Sequence, residues 1–147
     1  MFNRLETASK SLSSRIAVAK PEQLRNACVV ACRLALQATA LDIPITLESL
    51  EQLQQNGKLS QDRIAELKDL IAQFDERYFD MQEKADDGAD LQTEVLRLFR
   101  QARAVSALSF AGEEDPTIAA SESIYEASMA VDNQSEFFSL IENIITK

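Results

Sequence analysis

The chain has 147 residues, 46% apolar and 27% charged, a balance that can bury a core without metal or disulfide staples and lies far from the signature of disorder. Its net charge of -9 argues against non-specific binding to nucleic acid or anionic lipid, which requires clustered Lys and Arg. Histidine is absent, which removes the usual general base, metal ligand and pH switch, and with them Ser-His-Asp and Cys-His catalysis.

Only three Gly and three Pro interrupt a chain rich in Ala, Leu, Glu, Gln and Arg, so helix formers dominate and strand punctuation is scarce. The expected fold is all-α, a single-domain antiparallel helical bundle of six or seven helices spanning 1–147. The chain shows no apolar run of about 18 residues and no secretory pattern at its start, and Cys28 and Cys32, one helical turn apart, have a poor geometry for bridging each other, so a reduced, cytoplasmic protein is expected.

In chain order, Phe2, Leu5, Leu12 and Ile16 form the apolar stripe of a first helix over about 2–19, with Arg4, Lys10 and Arg15 off the stripe. This basic helix is expected to pack near the acidic C-terminal third, not on a membrane or on DNA. Pro21 suits the first turn of a second helix running to about Leu41, apolar around most of its circumference and therefore central to the core. After Pro44, Thr46 is a candidate cap for a short third helix carrying Leu47, Leu50 and Leu53, which Asn56 and Gly57 stop.

Ser60 is the next candidate cap. Ile64, Leu67, Ile71, Phe74, Tyr78, Met81 and Ala85 then alternate at three and four residues, the most regular pattern in the chain. Asp86, Asp87 and Gly88 mark a turn, with Asp90 capping a fifth helix whose Leu91, Val95, Leu98, Phe99, Ala102, Val105 and Leu108 face inward until Gly112. Asp115 before Pro116 caps a sixth helix with Ile118, Ile124, Ala127 and Val131 inside. Asn133 and Glu136 open a last helix whose Phe137, Phe138, Leu140, Ile141, Ile144 and Ile145 close the core.

Four constellations bear on function. Cys28 and Cys32 are half of a metal site at best, with no second cysteine pair and no histidine to complete it, and read as core packing. The run from Asp86 to Asp90 has calcium-type oxygens without EF-hand spacing and reads as a polar turn, so neither metal nor cofactor is expected. The heptad stripe over 64–85 could seat a second copy, giving a homodimer, although the same spacing also lines bundle cores.

Glu122 and Glu126 share a helix face at a cost in repulsion, and with Glu113, Glu114, Asp115 and Asp132 they define a candidate acidic surface for a basic protein partner. Charge is uneven along the chain, +4 over 1–41, -6 over 42–104 and -7 over 105–147. In size, acidity and helical content the chain resembles bacterial immunity or antitoxin-type proteins that neutralise nucleases, a resemblance of class carried by no motif. It implies a non-enzymatic interaction module that binds, and can inhibit, a basic partner. The alternative is a structural or adaptor protein that self-associates through 64–85, and an enzyme built on paired carboxylates ranks third.

Overall fold

The computed structural model describes residues 4–86 and 91–146; Phe2 and residues 87–90, which include Asp87 and Gly88 of the expected turn and the expected Asp90 cap, lie outside the described residues. Among the described residues there are eight helices and no strand: α1 (Arg4–Ala8), α2 (Lys10–Val18), α3 (Pro21–Ala38), α4 (Pro44–Asn56), α5 (Gln61–Asp86), α6 (Gln92–Ala111), α7 (Pro116–Ser128) and α8 (Gln134–Thr146). The eighth arises because the basic first segment breaks at Ser9, whose hydroxyl accepts from the Leu12 N–H at 3.3 Å and starts a new helix. None of the helices is long and apolar enough to cross a membrane.

Several boundaries fall where local chemistry puts them. Gly57 ends α4 at φ +70°, a conformation in which a side chain on Cα would be strained. The Ser60 hydroxyl accepts from Arg63 N–H, the Asp115 carboxylate from Thr117 and Ile118 N–H, and the Asn133 side chain from Glu136 N–H. Thr46 differs from expectation. Pro44 starts α4 two residues earlier, and the buried Thr46 hydroxyl instead donates back to the carbonyls of Leu41 and Ile43. Helix α3 closes through Ala40 at φ +52°, with Leu41 N–H bonded to the Leu36 carbonyl at 3.0 Å, a Schellman turn built without glycine.

The core is centred on α7 as much as on α3. Helix α7 lies against α1, α2, α3, α6 and α8, and Ala119, Ala120, Ser121, Ser123, Ile124, Ala127 and Ser128 are all buried in it. Small side chains let neighbouring backbones approach closely, which explains how a serine-rich helix becomes the hub. Its Ile118, by contrast, is exposed, a correction to the inward face read from spacing. On α3, Leu24, Ala27, Cys28, Ala31, Cys32, Ala35 and Leu36 are buried, while Val29, Val30 and Leu34 pack only partly.

Helix α5 is the exception to this enclosure. Its 26 residues span about 39 Å and pack chiefly against α6, so the two form a hairpin along one side of the molecule. The heptad stripe faces α6. Leu67 and Phe74 are buried, and Ile64, Ile71, Tyr78 and Met81 are half-covered.

Candidate functional site

The charged residues of α1, α5, α6 and α7 converge on one buried carboxylate. Glu126, 2% exposed, accepts from Arg4 Nη2 at 3.0 Å and from Arg103 Nη1 at 3.1 Å. Arg4 also pairs with Glu122 and lies over the Tyr125 ring at 4.5 Å and the Phe110 ring at 5.8 Å. Arg103 reaches Asp75 on α5 at 3.5 Å and stacks over Phe99 at 5.7 Å, while its buried Nε has no hydrogen-bond partner among the described residues. Burial works against the charge on Arg4, but the Glu122 and Glu126 carboxylates outweigh it and raise its pKa.

A second clasp holds α2. The Glu142 carboxylate of α8 accepts from the Ser11 hydroxyl at 2.6 Å and from Arg15 Nε at 2.7 Å, and these two donors hold its pKa below the ordinary value. The basic first segment thus docks on α7 and α8, where its arginines meet the acidic C-terminal third. Charge that looks like surface potential in the sequence is consumed in holding the N-terminal helices down.

This divides the six carboxylates expected to share a surface. Glu113 and Glu114 are exposed and without an ion pair among the described residues. Asp115 is exposed but caps α7, and Asp132 pairs with Arg100 at 2.6 Å. Glu122 is half-buried and Glu126 buried, so the common exposed face inferred from their one-turn spacing is corrected: the pair faces Arg4. The repulsion between them is relieved by shared arginine.

The exposed carboxylates of the molecule concentrate elsewhere. Opposite the apolar stripe of α5, Asp62, Glu66, Asp69, Glu76, Asp80 and Glu83 follow one another at helical spacing, with Gln73 in the one gap, and all are exposed. Apart from a long contact between Glu66 and Arg63 at 3.9 Å, none of the six is in an ion pair among the described residues. The ridge starts near Glu113 and Glu114, because residues 58–61 and 112–114 line the same surface cavity of about 620 Å³. Spacing alone held the signal: an acid stands one or two positions before every residue of the heptad stripe except Phe74, which Gln73 precedes.

The remaining features offer little for chemistry. A concavity of about 640 Å³ between α1–α2 and α7 is lined by Ser13, Ser14, Thr117 and Ser121 together with Arg4 and Glu122, which are committed to each other. Both thiols are buried; Cys32 lies 3.4 Å from the Ser123 hydroxyl, and burial pushes its pKa up to about 12. No group of three or more Cys, Asp and Glu is placed to hold a metal among the described residues. Comparison of the chain with protein-family models, curated proteins and solved structures finds no match.

Proposed function

We propose that the chain is a protein-interaction module whose acidic α5 ridge, extended at one end by Glu113 and Glu114, binds a basic protein partner. The observation that carries this reading is the distribution of compensated charge. The N-terminal arginines neutralise carboxylates of the C-terminal third, whereas the ridge stands uncompensated on the outer side of the hairpin. Aligned carboxylates along about 30 Å steer a cationic surface into register and speed encounter roughly ten- to a thousand-fold at low salt. A partner whose active surface is itself basic would be inhibited by being covered.

The test is affinity capture from native lysate with the wild type and with a variant carrying Asn or Gln at 62, 66, 69, 76, 80 and 83. All six side chains are exposed, so the variant keeps the helical circular dichroism of the wild type. Basic proteins should be retained by the wild type, released as salt rises, and lost by the variant. Retention that ignores both salt and the six substitutions would refute the reading.

A further inference from the structure

We infer that the outer face of the α5–α6 hairpin around Phe79 is the docking surface for a cationic amphipathic helix, an inference that rests on the basic-partner reading and names where and how such a partner binds. Phe79 is 65% exposed, an unusual position for a phenylalanine, and it is not isolated. Its ring meets Tyr78 edge-on at 5.3 Å, and Tyr78 meets Phe99 of α6 at 5.8 Å. Leu96, 48% exposed, lies one turn from Phe99 on α6. The three rings in contact make an apolar shelf from α5 to α6, with Leu96 a further exposed apolar side chain on α6, and the inner end is fixed by Arg103 over Phe99.

The rim of this shelf selects the occupant. Glu76 and Glu83 lie one turn to either side of Phe79 and Asp80 follows it, all exposed. The cations of this half of α5, Arg77 and Lys84, fall about 140–160° around the helix, on its far flank. A second copy would bring the same α5 carboxylates, Glu76, Asp80 and Glu83, against this row. A helix with apolar side chains on one stripe and Lys or Arg beside it satisfies both shelf and rim, with a large aromatic anchor at the centre and charge at the edge.

The probe is a fluorescein-labelled, helix-forming peptide with leucine at three- and four-residue spacing and lysine elsewhere, compared with oligolysine of equal charge by fluorescence anisotropy. Wild-type protein should bind the amphipathic peptide more tightly than oligolysine. Phe79→Ala should weaken amphipathic binding about tenfold or more and leave oligolysine unchanged. Leu140→Ala removes an exposed apolar side chain from α8 and should change neither.

Equal binding of the amphipathic peptide by wild type and Phe79→Ala would overturn the docking surface while leaving an acidic ridge that attracts cations. Failure of both peptides to bind would sink the basic-partner reading as well. Sedimentation equilibrium supplies the remaining outcome: a wild-type dimer made monomeric by Phe79→Ala would assign the shelf to a second copy and overturn the inference.

Discussion

Replacing Glu126 by Gln keeps the shape of a buried side chain and removes its charge, which makes it the sharpest probe of the arginine network. The carboxylate accepts from Arg4 at 3.0 Å and from Arg103 at 3.1 Å, and charge-assisted hydrogen bonds contribute about 1.5–3 kcal/mol each. Breaking a fully buried pair costs about 3–5 kcal/mol. Here the arginine side chains are 44% and 22% exposed and recover hydration when released, so the expected loss is about 2–3 kcal/mol. Glu122→Gln, at a more open pair, should cost less than about 1 kcal/mol.

Urea unfolding followed by far-ultraviolet circular dichroism measures both variants against wild type. A small domain is stable by only about 5–15 kcal/mol, so the predicted difference is readily seen as a shift in midpoint. Glu126→Gln within about 0.5 kcal/mol of wild type, or no more damaging than Glu122→Gln, would refute the assignment of Glu126 as the buried centre of the network.

Four further outcomes follow from the packing. Phe74→Ala should cost about 3–5 kcal/mol and Phe99→Ala about 1–2 kcal/mol in the same assay, because Phe74 is buried and Phe99 only partly so; equal costs would contradict the burial pattern. Ala40→Gly should stabilise by about 0.5–1 kcal/mol, relieving the positive φ at the end of α3, and a loss of stability there would count against that backbone geometry. Iodoacetamide at pH 8 should leave native Cys28 and Cys32 unmodified, since burial raises both thiol pKa values, whereas unfolded protein reacts at once. Finally, the folded-state pKa of Glu142 lies below its ordinary 4.5, so its contribution is present above that pH and fades as pH falls through the depressed value; the stability gap between wild type and Glu142→Gln should close with it, and a gap unchanged in acid would remove the Ser11–Glu142–Arg15 clasp.

Periodicity and capping chemistry made most of the helices legible in advance. Ser60, Asp115 and Asn133 carry local signals that need no tertiary information, and the caps form as their side chains dictate. What stayed hidden depends on partners distant in sequence. Glu126 is read as solvent-facing because its spacing matches Glu122, and only the arrival of Arg4, 122 residues away, and of Arg103, 23 residues away, compensates the buried charge. The hub position of α7 was likewise obscured, since serine and alanine look like surface composition until neighbouring helices use their small size to approach. Ser9 broke a helix that the apolar stripe had carried straight through, because an interior serine can bond the backbone on its own account.

The α5 ridge shows the converse, a pattern fully present in the sequence but overshadowed by the regular apolar stripe beside it. Once Glu122, Glu126, Asp132 and Glu142 are seen to be engaged, the ridge becomes the largest run of uncompensated charge along the described helices. The most direct measurement is amide chemical-shift mapping of the isotope-labelled protein during titration with the leucine–lysine peptide. Perturbations concentrated on α5 and the first turns of α6, around Phe79 and Leu96, are predicted. Perturbations centred instead on the groove between α1–α2 and α7, with α5 silent, would contradict the account.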